Sequence, residues 1–230
     1  MPSAKKGGTT AKKFRVGSFP KVGRTMTISA LNSVEFAWKQ SKGDKDEIAR
    51  IMKTIFDKKY LPCWHCIVGT SELYVDVRFR QGQCLIIFGP VKVVLFKAGP
   101  MPADPPPALR DDTGNGESGE REKVRLRNPK ILSSEMPTEM EQYCVKRTLA
   151  AVTEGQGKDL DAIIGGIKRD MTGHFGPNWH VAAIRTDHGS GFNDLGFKVE
   201  WLDDGFLDLS IVKYRLLIFK YSQEVKLRDH

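Results

Sequence analysis

The pattern Pro-x-Trp-His occurs twice in this chain, as Pro62-Cys63-Trp64-His65 and as Pro177-Asn178-Trp179-His180. The flanks repeat in step. Ile48 precedes Trp64 by sixteen residues and Ile163 precedes Trp179 by sixteen, each inside a segment of helical periodicity, and "VVLFK" (Val93 to Lys97) is answered by "LLIFK" (Leu216 to Lys220). An internal repeat of this kind constrains the fold more than composition does, because one small unit must be built twice. From the His to the Phe of the ending there are 31 residues in the first copy and 39 in the second, so the second copy carries about eight extra residues in its sheet region.

The 230 residues therefore divide into two lobes of about 85 to 100 residues. Lobes this small bury only roughly 60 to 65% of their unfolded surface, so pairing with another lobe helps each of them. The net charge of +8 would suggest nucleic acid if it were spread over the chain. It is not: Lys5, Lys6, Lys12, Lys13, Arg15, Lys21 and Arg24 carry most of it on residues 1–24, which hold no acidic residue. Such a Gly, Ser, Thr and Lys stretch has too little apolar content to fold alone, and is expected to be a basic disordered arm. No segment approaches the ~18 uninterrupted apolar residues of a membrane span, and no apolar stretch follows the basic start, so a soluble, intracellular protein is expected.

Cys63 and Cys66 have the spacing of a redox or zinc-binding pair. The second copy keeps the Trp-His and drops both thiols, and residues three apart on a strand point to opposite faces, so the pair is not expected to converge on a metal. Cys84 and Cys144 complete four cysteines that make no secreted disulfide framework. No paired carboxylates, phosphate loop or nucleophile-base set argues for catalysis, and no catalytic residue, metal or cofactor is expected.

Along the first lobe (25–99) the pattern predicts a short strand near Phe14 to Phe19, a helix over 28–40, and a second helix capped by Asp44 with Glu47 three residues on, its stripe formed by Ile48, Ile51, Met52, Ile55 and Phe56. Strands follow at "WHCIV", "YVDVRF", "CLIIF" and "VKVVLF". Residues 100–121 read as a Pro, Gly and acid-rich linker, with a reach of roughly 25 Å that lets the lobes meet within one chain. The second lobe (122–222) repeats the plan. A leading strand is predicted at "KVRLR", then a helix capped by Ser133 or Ser134 and carrying Met140, Cys144 and Val152, and a further helix from Asp159 through Ile163, Ile164, Ile167 and Met171. Gly165 and Gly166 in that helix suggest close packing or a softened segment. Strands are predicted at "HVAAI", "FKVEWL", "FLDLSIV" and "YRLLIF", with a turn at Asp203-Asp204-Gly205 and a tail over 223–230.

"FDKKYLPCWHCIVG" (Phe56 to Gly69) with the "VVLFKAG" ending closely resembles the dynein light chain type 1/2 family, and "FGPNWH" with "LLIFK" resembles it more remotely. The resemblance implies an α+β fold of two lobes, each with two helices packed on an antiparallel sheet and a strand exchanged between lobes. It further implies a non-enzymatic adaptor that binds extended partner segments by β-strand addition. Carried over residue by residue, the first-lobe peptide groove falls on Lys45 and Asp46 with Ser71, Leu73, Tyr74, Val75, Asp76 and Val77 on the exchanged strand. Leu85 and Ile87 follow on the next strand, and Phe206 retains an aromatic in the second lobe. His65, His180 and Lys53 are placed at the lobe interface, where acidification through pH ~6.5, the ordinary His pKa, is expected to loosen pairing. The implied partners are a dynein intermediate chain or cytoskeletal proteins with extended segments, and another lobe in the same chain or in a second dynein light chain. The implied setting is cytoplasm and microtubule cytoskeleton, including cilium or axoneme, with no membrane. The alternative expectation is a module that binds microtubules or nucleic acid through its basic arm.

Overall fold

A computed structural model of the chain describes residues 14–17, 22–80, 82–98, 129–154, 159–186, 194–211 and 213–221. The linker, the tail and most of the arm lie outside the described residues, as does the strand expected at "KVRLR". The first lobe runs β1 (Arg15–Val16), α1 (Arg24–Ser41), α2 (Lys45–Tyr60), β2 (Trp64–Gly69), β3 (Leu73–Asp76), β4 (Cys84–Phe88) and β5 (Lys92–Lys97). The second runs β6 (Lys130–Ser134), α3 (Thr138–Glu154), α4 (Leu160–Phe175), β7 (Trp179–Arg185), β8 (Gly196–Lys198), β9 (Phe206–Ile211) and β10 (Tyr214–Lys220).

Each lobe surrenders a strand. One five-stranded sheet has the order β1-β4-β5-β2-β8, and the other β3-β7-β10-β9-β6. Thus β3, from the first lobe, pairs antiparallel with β7 of the second, Val75 opposite Ala182, while β8 returns the exchange by pairing with β2, Phe197 opposite Ile67. The expected fold, two helices on an antiparallel sheet with a traded strand, is the observed one.

The layering explains the apolar character of the repeated endings. Along β5, Val93 and Leu95 face the helices of the first lobe, whereas Val94 and Phe96 face a shared core between the two sheets. Along β10, Leu216 and Ile218 face the second lobe's helices, and Leu217 and Phe219 face the same shared core. Covered on both faces, these strands are apolar almost without alternation. Lys97 and Lys220, which close them, aim their ammonium groups at the last carbonyls of the second helix of each lobe: Lys97 Nζ at Tyr60 and Leu61 O, Lys220 Nζ at Phe175 O (2.6 Å). A cation suits that end of a helix.

Asp44 caps α2 as expected, accepting from Glu47 N at 2.8 Å, although the Glu47 carboxylate turns outward to Arg50. The short strand expected near Phe14 to Phe19 is present as β1, Arg15 and Val16 pairing with Phe88 and Ile87. Three expectations are corrected. The same two residues fall inside the stretch assigned to the disordered arm and are ordered. Ser133 and Ser134 lie in β6, and α3 begins later, at Thr138. Gly165 and Gly166 do not mediate close packing, since a Cβ at Gly165 would meet only Arg169 Nη1 at 3.6 Å and Asp76 Oδ2 at 3.9 Å.

The turn from α2 to β2 carries strain. Leu61 adopts φ 69° and Cys63 φ 80°; the repeat partners of these residues are Gly176 (φ 77°) and Asn178 (φ 76°), types that tolerate this region. Leu61 is 74% exposed and contributes little packing. Replacing it by Gly, as the second lobe already does, is expected to raise stability by about 1 kcal/mol through relief of backbone strain. Urea unfolding of Leu61→Gly checks this, and an unchanged or lowered midpoint would contradict the strain.

Candidate functional site

The exchange brings three groups of side chains together across the lobes: a stacked aromatic centre, two lysine clamps, and two helix-flanked sheet edges. His65 and His180 are fully buried at the centre. His65 stacks on Phe96 with ring centroids 5.0 Å apart and meets Tyr221 edge-on at 4.5 Å; His180 stacks on Phe219 at 5.0 Å and on Phe96 of the other lobe at 5.9 Å. Each imidazole also latches the returning strand of the opposite lobe. His65 Nδ1 accepts from Glu200 N at 3.1 Å, and His180 Nδ1 accepts from Arg78 N at 3.3 Å. An acceptor Nδ1 requires the neutral ring. Burial, and then the nearby Lys168 ammonium, drives the His180 pKa down to about 3.

The lysine clamps are also paired. Lys53 on α2 donates to Asp57 Oδ2 at 2.6 Å in its own lobe and to Glu200 Oε1 at 2.9 Å across the interface. These two carboxylates raise its pKa although burial, the largest influence, opposes them. Lys168, the corresponding residue of α4, grips Asp76 of the exchanged β3 through both its carboxylate and its main-chain oxygen.

The residues expected in one groove are divided between two. Lys45 and Asp46 face β8, not β3: Asp46 Oδ1 accepts from Phe197 N at 3.1 Å, and Lys45 Nζ lies 3.6 Å from Asp194 Oδ1. Ser71 and Leu73 to Val77 run instead beside α4 of the second lobe, with Ser71 exposed in the preceding turn and Leu73 buried in the shared core. The helix that flanks an exchanged strand belongs to the lobe that receives it, and no reading of one lobe's own order reveals that. Leu85 and Ile87 are buried under α1 and α2. Phe206 packs between the sheets, stacked on Trp201 at 4.2 Å and tilted against Phe197 at 5.9 Å. The sequence reading missed Lys168, Asp161 and Asp194, all placed by the exchange rather than by a local motif.

Cys63 and Cys66 diverge, Cys63 into the shared core and Cys66 into the helix-side core. Burial drives the Cys66 thiol well above its ordinary range and pushes Cys84 and Cys144 up to about 12. Among the described residues no group of three His, Cys, Asp or Glu could hold a metal ion, and no helix is long and apolar enough to cross a membrane.

A family model described as dynein light chain type 1 matches residues 21–98 and again 128–221. Among solved structures, the dynein light chain-like domain of the Fasciola hepatica calcium binding protein FhCaBP2 aligns at 13% identity and a TM-score of 0.34, covering 42% of this chain and 94% of that one. That second likeness is too distant to argue from.

The depressed His180 pKa fixes the sign of a pH effect. Between pH 6.5 and about 3 the unfolded chain binds a proton at this residue that the folded chain does not, so stability is full above pH 6.5 and falls on acidification. At pH 5 the loss from this residue is about 2 kcal/mol, from roughly 1.4 kcal/mol per pH unit. Urea midpoints at pH 7.5 and 5.0 should differ accordingly, and His180→Gln should flatten the difference. Equal midpoints for the parent chain would contradict the assignment.

Proposed function

Because this chain belongs to the dynein light chain family, which its sequence matches in two successive segments, we propose that it is a non-enzymatic adaptor holding both halves of a light-chain pair in one polypeptide. Family members generally dimerise and bind extended partner segments. Here the pairing of lobes is internal, and the partner is proposed to be a dynein intermediate chain or a cytoskeletal protein whose extended segment joins a sheet edge. The setting is a dynein motor or another microtubule-based assembly, axonemal or cortical, in the cytoplasm. The observation that carries this reading is the position of the exchanged strands: β3 and β8 each lie at the margin of a sheet, beside a helix of the receiving lobe. An edge strand supplies main-chain donors and acceptors to any extended chain, and neighbouring side chains supply preference.

The charge of residues 1–24 favours a second reading, in which the arm attaches the protein to tubulin or nucleic acid and the lobes only pair. The two separate on one comparison. A chain lacking residues 1–13 should bind an intermediate-chain peptide within about twofold of the full chain, with chemical-shift changes concentrated at a traded strand, β3 or β8, and the first turn of the helix beside it. Loss of partner capture on that deletion, together with a steep salt dependence in the full chain, would favour the arm instead.

A further inference from the structure

The helix layers of the two lobes follow one plan but are not filled alike. Arg24 and Thr138 open the first helices, Lys45 and Leu160 the second, and counting from those starts matches each residue of one lobe to one of the other. Contacts confirm the match. Lys59 Nζ donates to Ser29 Oγ at 2.8 Å, and the residues in their places, His174 and Tyr143, stack with ring centroids 4.2 Å apart. By the same count Gly166 stands for Ile51, Asp170 for Ile55 and Ala150 for Phe36. Ile51 and Ile55 pack against the core of the first lobe. Their replacements leave a hollow of about 180 Å³ between α3 and α4, floored by Ala150, Ala151, Ala162, Ile163 and Gly166. A Cβ at Gly166 would meet only Arg169 Nη2, at 4.0 Å.

Size and charge decide what such a hollow takes. Pockets for small ligands and cofactors run to roughly 300–1,000 Å³, so this one has room for a single side chain. Its floor is apolar, and Arg147, Arg169 and Asp170 complete its lining. Arg147 is bonded to Asp170 at 2.8 Å. Arg169 makes neither hydrogen bond nor ion pair among the described residues, and Asp76, which reaches the same space over Gly165, is gripped by Lys168. The surplus charge is positive, which suits an apolar side chain with a carboxylate beside it.

The chain itself presents that combination. Phe36 is 51% exposed on α1, and Glu35 next to it is exposed and forms no ion pair among the described residues. Ile28, 49% exposed, lies two turns before Glu35 on the same face of the helix. A helix ridge of this kind lies naturally in the groove between two others. It cannot reach the hollow of its own molecule, because the helices of the two lobes cover opposite outer faces of the paired sheets. For the same reason two copies cannot exchange the contact reciprocally, and the contact is head to tail.

We propose that α1 of one copy docks on the α3–α4 face of a second copy, with Phe36 entering the hollow over Gly166 and Glu35 meeting Arg169. Each copy keeps one face of each kind open, so copies add in a row. One helix ridge covers less than the ~1,200 Å² of a stable complex, so the chain is monomeric at low micromolar concentration and associates near roughly 100 μM. The β3 and β8 margins play no part in this contact, which stands or falls apart from strand addition.

Sedimentation of the intact chain from about 5 to about 500 μM tests it. The weight-average mass should rise progressively with concentration. Phe36→Ser and Gly166→Ile should each abolish the rise, the first by removing the knob and the second by filling the hollow as Ile51 does in the first lobe. Mixed in equal amounts, the two variants should associate again and stop at dimers, since one keeps only the hollow and the other only the knob. That recovery also shows that both are folded. Arg169→Glu should weaken association about tenfold, and Glu35→Arg in the same chain should restore it. A single mass at every concentration, assembly of the parent chain that stops at dimers, indifference to Phe36→Ser or to Arg169→Glu, or a mixture that stays monomeric would each overturn the proposal.

Discussion

Neither sheet is complete without a strand from the other lobe, and the rest of the molecule is arranged around that constraint. Leu73 and Leu195, at the entry to the two exchanged strands, are both buried in the core that the sheets share. A lobe that withdrew its strand would expose that core and leave β2 or β7 with an unpaired margin, a costly state for buried backbone groups. The imidazoles and lysines add direction to the apolar burial. His65 and Lys53 hold Glu200 of the second lobe, whereas His180 holds Arg78 and Lys168 holds Asp76 of the first. Sequence, pairing and electrostatics therefore agree on one arrangement, which is the usual mark of a specified fold.

Duplication within one chain frees the two halves to diverge. In a symmetric pair of identical chains, any change at one sheet margin appears at the other as well. Here Gly196 faces one helix and Tyr74 the other, Asp46 is bonded to a strand amide, and seven of the eight extra residues fall between β7 and β8. One half can then serve mainly to complete the core while the other presents a surface. Tethering also removes the concentration dependence of pairing, because the second lobe is always present at the effective concentration the linker sets.

Much of this was legible in the residues. The doubled Pro-x-Trp-His, the matching helix register and the paired "LFK" and "IFK" endings require one unit built twice, and the amphipathic stripe of α2 with its Asp44 cap places the helix to within a residue. What could not be read locally was set by topology. Lys45 and Asp46 lie only about thirty residues before Tyr74 in sequence, yet they serve the strand that arrives from the far lobe, because the exchange sends Tyr74 away. Ser134 looked like a helix cap, having a small hydroxyl before a helical pattern, but the pairing of β6 with β9 claimed it. Gly165 and Gly166 looked like a tight packing contact, and the structure puts only the Arg169 guanidinium and the edge of the Asp76 carboxylate near them, at ordinary contact distance.

The most direct measurement is a disulfide trap across the exchange. Val75 and Ala182 form a non-hydrogen-bonded antiparallel pair, whose Cα separation suits a disulfide, and all four native cysteines are buried. Oxidised under mild conditions, the Val75→Cys, Ala182→Cys chain should cross-link within single molecules, running as a compact monomer on a non-reducing gel and by light scattering. A product made only of linked dimers would mean that the strand is traded between chains, and failure of the two thiols to join at all would mean that it is not traded.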